Sequence, residues 1–453
     1  MITKPTTNRY HFLSLSDFIG IGLPATRRQG GGLILRKLVF NLLFVFFVAA
    51  AFSCCSKKSP EKYHRSMPYP DSELIEKLEW TSEPSKFAVT ASDMHWWTWG
   101  IDDAIYTLED DGDNFGGRYW YAHILKVTGI PPNHKVETLT DFEGYDFRTT
   151  IPKKLLLRYV CGLVAVDSTF YVCLYDYDWN LTTKPCNFDS LYHRMKMHKP
   201  WENVDASLQP NLGFINRYSK LGGVAGIIKS TDWGKTWTNI PLENSPTFFS
   251  PDFGAPAFLT FGKGNTETPD ELAPYIYAIS NDGNWTSGDH VRMGRVHRDS
   301  VANRESWQFF GGINDSNKAE WVKSETSGTP IFTDKGHVGH PTITYNKALN
   351  RYILMVFSDV VPHREDATEA EYSKWDLESE LQLYVSENPW GPWKLFHCEK
   401  PWGGANHTNY LGQIPAKWFS NNGLEGTMIY AGDYTRDGAH YGFVTQSFKL
   451  TLK

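Results

Sequence analysis

Residues 93–117 read DMHWWTWGIDDAIYTLEDDGDNFGG. Three indoles, Trp96, Trp97 and Trp99, stand just ahead of the adjacent carboxylates Asp102 and Asp103. Residues 104–108 have the aromatic and β-branched content of a strand, and the polar residues 110–114 read as a turn. Aromatic rings pack on the apolar faces of sugars, and paired carboxylates supply an acid, a base or a nucleophile. The stretch therefore has the makings of a sugar site. Trp beside Asp at a strand end, and an Asp-rich turn, are equally ordinary structural features.

Outward from this stretch the same strand–turn–strand unit recurs. The first unit continues into residues 119–128. The second is 161–175, CGLVAVDSTFYVCLY, with outer strands at 226–230 and 237–240. The third is 255–279 with 291–297 and 307–311. The fourth is 341–357, PTITYNKALNRYILMVF, with 381–386 and 393–397. The fifth is 413–431 with 439–452. Each unit opens with an apolar strand, turns on polar residues and returns in an aromatic-rich strand. Repeats at intervals of roughly 40–50 residues are the mark of a propeller. The expected fold is all-β, a five-bladed β-propeller, with helices only over 71–79 and 368–380. Residues 177–223 form a long insertion in blade two that holds His193, His198 and Trp201. It reads as a loop that shapes a substrate or as a plain insertion.

The chain has 453 residues, 41% of them hydrophobic and 15% aromatic, enough for a large core. At about 150 residues per domain that length allows up to three domains, but propellers run long as one. A net charge of −6 and no basic patch argue against a nucleic-acid partner. Arg27, Arg28, Arg36 and Lys37 precede an apolar run, 38–52, that ends in Ser53-Cys54-Cys55. This is the pattern of a signal peptide rather than a membrane span. Its end resembles a bacterial lipoprotein box with Cys54 as the lipidated residue. The expected organisation is 1–55 signal peptide, 56–85 tether with a short helix, and 86–453 propeller, exported to the cell surface, outer membrane or periplasm, lipid-anchored and monomeric. The other cysteines are Cys55, Cys161, Cys173, Cys186 and Cys398. With no CxxC pair a zinc site is not expected. A two-residue turn at Asp167-Ser168 would set Cys161 and Cys173 on opposite faces, so no bridge between them is expected.

Residues 230–237, STDWGKTW, fit the Asp-box pattern S-x-D-x-G-x-T-W. Ser230 opens the motif, Asp232 caps the hairpin, Gly234 supplies a positive φ and Trp237 packs between strands. The motif resembles the structural hairpin of sialidase-type propellers. Residues 386–393, SENPWGPW, are a degenerate copy at the equivalent place in the fourth unit. A sialidase also needs an arginine cluster and an Arg-Ile-Pro signature, which FRTTIP at 147–152 does not supply. A wider resemblance rests on WGIDDAIYT at 99–107, Phe115-Gly116-Gly117, FLTFG at 258–262, and Tyr275-Ile276-Tyr277. It continues through Asp282-Gly283-Asn284-Trp285, Met293-Gly294-Arg295-Val296, Tyr345-Asn346, Arg351-Tyr352 and Gly391-Pro392-Trp393. Over 87–452 the chain resembles a family of secreted bacterial propellers labelled as a domain of unknown function, some members of which are endo-D-arabinanases. Its fold is similar to that of arabinanase and β-xylosidase propellers. The resemblance implies a glycoside hydrolase acting on furanosides.

A propeller site lies in the central depression, where the innermost strands begin. There the expected catalytic groups are Asp103 as base or nucleophile, Asp102 second to it, and Asp252 or Asp289 as the acid or its modulator. The resemblance to arabinanases implies the blade-one assignment. Trp96, Trp97, Trp99, His337, His340 and Gln413 are the expected substrate contacts. Asp289 as a turn cap and the two histidines as loop hydrogen-bonders are the structural alternatives. Glu109, Asp110, Asp111 and Asp113 fail the EF-hand spacing and read as a solvated turn. No cofactor or metal is expected, although a central calcium ion is compatible with the fold. The expected partner is a polysaccharide, as substrate of a hydrolase or as ligand of a non-catalytic glycan-binding lipoprotein. Lipidation carries its own test: intact-mass analysis of membrane-fraction protein should show a mature chain that begins at a diacylated Cys54, and a soluble chain beginning elsewhere would sink that assignment.

Overall fold

The structure, a computed structural model, describes residues 66–87, 92–112, 121–140, 156–178, 220–241, 245–283, 286, 288–359, 379–404, 407–432 and 441–453. The signal and lipidation segment, Cys186 and most of the blade-two insertion lie outside them. Two short strands come first, β1 (Ile75–Trp80) and β2 (Ser85–Lys86). Blade one follows as β3 (Asp93–Trp99), β4 (Ile105–Gly112), β5 (Tyr121–Thr128) and β6 (Lys135–Thr140), antiparallel and in chain order. Blade two is β7 (Leu156–Val166), β8 (Thr169–Asp178) and β9 (Lys220–Ser230). Blade three runs β10 (Ala257–Phe258), β11 (Tyr275–Asn281), β12 (Gly288–His297), β13 (Gln308–Ile313) and β14 (Ala319–Val322), with β15 (Phe332–Val338) also paired to β12. Blade four is β16 (Thr342–Asn346), β17 (Arg351–Asp359), β18 (Ser379–Ser386) and β19 (Lys394–Glu399). Blade five is β20 (Asn409–Gln413), β21 (Glu425–Gly432) and β22 (Val444–Leu452), completed on its outside by β1 and β2. The fold is a five-bladed β-propeller.

The first strand of each blade lines the centre. β3, β7, β10, β16 and β20 neighbour one another in that order, and β20 returns to β3. Side chains lock these strands together. Thr342 and Thr344 on β16 donate to the carbonyls of Gly412 and Ile414, so β16 and β20 run the same way. Ala165 N–H donates to Thr98 Oγ1 at the far ends of β7 and β3. All five therefore begin on one face, called the leading face here, and end on the trailing face. The ends of second strands and the starts of third strands share the leading face. The turns from first to second strand lie on the trailing face. Apolar residues fill the spaces between blades: Trp97, Ile105, Val127, Trp418, Ile429 and Phe443 form one cluster between blades one and five.

Two expectations fail at β-bulges. Residues 71–79 space Ile75 and Leu78 three apart, as a helix would, but the chain there is β1 on β22. The register steps from Ile75↔Leu452 to Lys77↔Thr451. One extra residue lets both apolar side chains face inward, and a bulge thereby mimics helical spacing. The propeller thus begins before residue 86. Of the second expected helix, 368–380, only Ser379 and Glu380 are described, and they are strand. Cys161 and Cys173, expected on opposite faces, are direct cross-strand partners because the register shifts between Cys161 and Leu163. Gly162 is the extra residue; its φ is +53°, and a Cβ there would sit 2.2 Å from the Pro256 carbonyl oxygen. Both side chains are buried.

The 230–237 hairpin leaves β9 on the trailing face. Gly234 N–H donates to Ser230 Oγ at 2.8 Å, and Ser230 Oγ donates to Asp232 Oδ1 at 2.8 Å. Thr236 gives Asp232 both its N–H, at 2.9 Å, and its hydroxyl, at 2.6 Å. The Thr236 hydroxyl, then its N–H and Ser230, pull the Asp232 carboxyl down to about 2. Its contribution to stability is present above about 3.8, the unfolded value, and is lost as pH falls toward about 2. Trp237 is buried, with its indole N–H on the Gly234 carbonyl. Trp237→Ala should cost about 3–5 kcal/mol in denaturant unfolding. Asp232→Ala should lower the melting temperature at pH 7 but not at pH 2; equal losses at both would contradict the capping role.

Candidate functional site

Asp93 is the first residue of β3 and so stands on the leading face at the centre of the ring. The register steps from Asp93↔Asp110 to Trp96↔Leu108, one residue too many on β3. Met94 and His95 absorb it with φ of 75° and 33°, values that side-chain-bearing residues rarely take. β20 carries a matching bulge: Tyr410 pairs with Ala431 and Gln413 with Ile429, and Leu411 has φ 47°. The two bulges meet. Gln413 Nε2 donates to the Met94 carbonyl at 2.9 Å, and Gln413 Oε1 accepts from Trp97 N–H at 3.3 Å. Tyr410 donates its hydroxyl to Asp93 Oδ2 at 2.8 Å. Asp93 and Tyr410 are both buried.

A second carboxylate lies close along the same blade. Glu109 on β4 is fully buried and accepts the Ser92 hydroxyl at 2.5 Å. His123 Nδ1 is 3.5 Å from Glu109 Oε1, and His95 Nδ1 is 3.8 Å from Oε2. The His95 ring meets Phe443 of β22's approach edge-on at 5.1 Å, so the group belongs to the seam between blades one and five. Burial pushes His95 down to about 3, against a smaller upward pull from the Gly442 carbonyl, and the ring is neutral at ordinary pH.

Blades three and four add polar groups to the leading face. Asp282, just after β11, accepts Asp289 N–H on both oxygens, at 3.0 and 3.2 Å. Burial raises its pKa above the usual carboxylate range. Asp289 accepts Gly336 N–H at 2.8 Å, as a loop-bracing carboxylate would. Asp282, Asp289 and His290 each bring a ligand atom within 4.8 Å of the others and form the described set that could hold a divalent cation. Asp252 sits half-buried in a turn, Pro251–Phe253, ahead of β10. His337 Nδ1 lies 3.3 Å from Ser358 Oγ and 4.0 Å from the buried Glu380 carboxylate. His340 is fully buried against Trp96, ring centroids 6.1 Å apart, and burial drives it down to about 3.

The expected pair Asp102 and Asp103 is elsewhere. Both occupy the turn between β3 and β4, on the trailing face, because they follow the inner strand rather than lead it. Burial alone would raise Asp102, but Lys126, Tyr106 and the Ala104 N–H outweigh it and hold the carboxyl low. Lys126 Nζ is 2.9 Å from Asp102 Oδ2, and Tyr106 donates to the same oxygen at 2.9 Å. Asp103 has φ 70° and is half exposed. It meets Lys263 at 3.1 Å, Lys417 at 3.4 Å and the Trp99 indole N–H at 3.0 Å. Slight burial opposes these contacts without preventing a net lowering. Both carboxylates are clamped by lysines. Trp96 and Trp97 are core residues between blades, while Trp99 is half-buried on the trailing face. Gln413 spends its amide on the β3 backbone. Glu109, expected in a solvated turn, is buried. Sequence reasoning missed Asp93, Glu109, His95, His123 and Tyr410; the one available signal was position, Asp93 being the polar residue that opens the first inner strand.

Residues 191–384 match the family model described as a domain of unknown function, DUF4185. This agrees with the resemblance read from the sequence. A comparison with curated proteins finds no match. Similar solved structures include a Bacteroides ovatus ATCC 8483 protein, 14% identical over 85% of this chain and 96% of that one, with a TM-score of 0.41. The GH43_1 enzyme from Xanthomonas citri is 11% identical over 82% and 91%, TM-score 0.39. The alpha-L-arabinofuranosidase from Podospora anserina is 10% identical over 84% and 99%, TM-score 0.37. Identities this low carry no residue-by-residue correspondence.

The two neutral histidines fix a pH dependence. Both have folded values near 3, below the unfolded 6.5, so the unfolded chain takes up protons that the folded chain refuses. Stability is untouched above about 6.5 and falls as pH drops from there toward 3. His340→Asn should flatten the decline of melting temperature between pH 6.5 and about 4.5, a window above most carboxylate titrations. An unchanged slope would show that His340 already protonates in the fold.

Proposed function

We propose that this protein is an exported glycoside hydrolase acting on a polysaccharide, with its site on the leading face around Asp93. The observation that carries this reading is the buried Asp93 carboxylate, set by paired bulges at the start of the first inner strand and held by a phenol from the next blade. Glycoside hydrolysis needs one carboxylate to attack or to activate water and one carboxyl to protonate the leaving oxygen. Asp93 suits the first role by its place at the head of the first inner strand, with Oδ2 fixed by the Tyr410 hydroxyl. Asp282 suits the second, since burial favours its protonated form. Glu109 lies too deep in its cage of Ser92, His95 and His123 to donate directly, and it braces the floor beneath Asp93. The lysine-clamped Asp102 and Asp103 fit a structural part on the opposite face. The resemblance to propellers that include endo-D-arabinanases favours an arabinofuranoside-containing glycan as substrate. Export and a lipid anchor at Cys54 complete the reading and suit a protein that meets polysaccharide outside the cytoplasm.

The deciding experiment is a released-sugar assay on arabinans, xylans and host glycans with variants beside the parent chain. Asp93→Asn should lower turnover by about a hundred- to ten-thousandfold at an unchanged melting temperature. Asp282→Asn should do the same and remove the alkaline limb of the pH profile. Asp103→Asn should leave turnover near that of the parent. Full activity in Asp93→Asn, or its loss in Asp103→Asn alone, would move the site to the other face.

A further inference from the structure

The seam between blades five and one holds a contact whose geometry exceeds what packing requires. Tyr410 packs its ring on Phe357, centroids 6.2 Å apart, in a core that a phenylalanine would fill equally well. The hydroxyl instead reaches across the seam to Asp93 Oδ2. Reaching it takes a distorted strand on each side. Leu411, next to Tyr410, and Met94 and His95, next to Asp93, all hold positive φ. Such conformations persist only where the surroundings over-determine them. Here the over-determining group is Gln413, which answers one carbonyl and one N–H that the β3 bulge would otherwise leave unpaired.

We propose that Tyr410 is the positioning residue of this site, fixing the Asp93 carboxylate in one orientation from the neighbouring blade. The inference rests on the reading of Asp93 as the site's working carboxylate. Bulges re-aim side chains at sheet edges and next to active sites. The facing bulges of β3 and β20 aim two side chains at one another rather than one at solvent. A neutral O–H donor to a carboxylate orients it without neutralising it, as a lysine would not. The Tyr410 phenol is such a donor to Asp93. The orienter and the oriented group come from different blades, 317 residues apart in sequence, so the site exists only when the ring is closed.

The test uses the full chain and a readout independent of turnover. The Asp93 carboxyl is titrated by carbon-13 NMR in the parent, its signal assigned by Asp93→Asn, and again in Tyr410→Phe. The Asp93 pKa should rise by about one unit, roughly a tenfold change in ionisation. On a cleaved glycan, kcat should fall at least tenfold near the acid limb, the limb should shift by the same unit, and KM should stay within about twofold, as expected of an interaction made chiefly in the transition state. Tyr430→Phe removes a buried phenol that donates to Gln446 Oε1 at 3.0 Å in the same blade and should move neither the Asp93 pKa nor the limb. If Tyr410→Phe does not fold, 3-fluorotyrosine at position 410 keeps the shape, strengthens the donor and should move the Asp93 pKa down. An Asp93 pKa indifferent to both changes at 410, or an equal shift in Tyr430→Phe, overturns the inference. A shift as expected in a protein that cleaves no glycan would leave the positioning intact and sink the hydrolase reading instead.

Discussion

Closure of the ring is the constraint on which the rest depends. Five twisted sheets can bury both faces only if the fifth meets the first. The chain closes the circle with its own beginning: β1 adds to β22 as the outermost strand of blade five. The same segment is tied to blade four through Ser72 N–H on the Leu395 carbonyl and the Trp80 indole on Glu399. A second closure acts at the centre, where Gln413 and Tyr410 of β20 reach β3. Between these inner and outer ties lies the aromatic and aliphatic packing of Trp97, Trp418 and Phe443.

The site inherits its chemistry from this arrangement. On the leading face a phenol meets the buried Asp93, a hydroxyl meets the buried Glu109, and backbone N–H groups meet the half-buried Asp282 and Asp289. On the trailing face the carboxylates are met by Lys126, Lys263 and Lys417. Neutral donors leave a carboxylate's charge to act on something else. Lysines discharge it into a salt bridge.

Much of the fold was legible because blades repeat and each repeat announces its turns. The five units read from the sequence coincide with the five sheets, and residues 230–237 and 386–393 follow the third strands of blades two and four. What was not legible is bulge placement. One extra residue at Glu76 turned a strand into helical spacing, one at Gly162 moved Cys161 opposite Cys173, and one at Met94–His95 aimed the carboxylate of the first inner strand. Bulges obey the packing of neighbouring blades, and local pattern does not encode that. The leading-face group around Asp93 escaped the sequence reading for a related reason. Asp102-Asp103 is the more conspicuous pair, but it follows an inner strand, and which end of a strand faces substrate is a matter of topology. Glu109 hid in a run of acidic residues that looks solvated, although only tertiary burial separates it from its neighbours.

Ring closure by the N-terminal strand also has a temporal side. A chain made from its N-terminus presents β1 first, yet β1 finds its place only on β22, whose Leu452 pairs with Ile75 at the opposite end of the sequence. Blades one to four can assemble as they emerge, since their strands are consecutive. The last blade must wait for β22. Until then the inward side chains of β1, Ile75 and Leu78, lack the strand that covers them. The protein thus carries its own delay: blade five is complete only after β22 has been made, and a chain that lacks β22 leaves β1 without its partner strand.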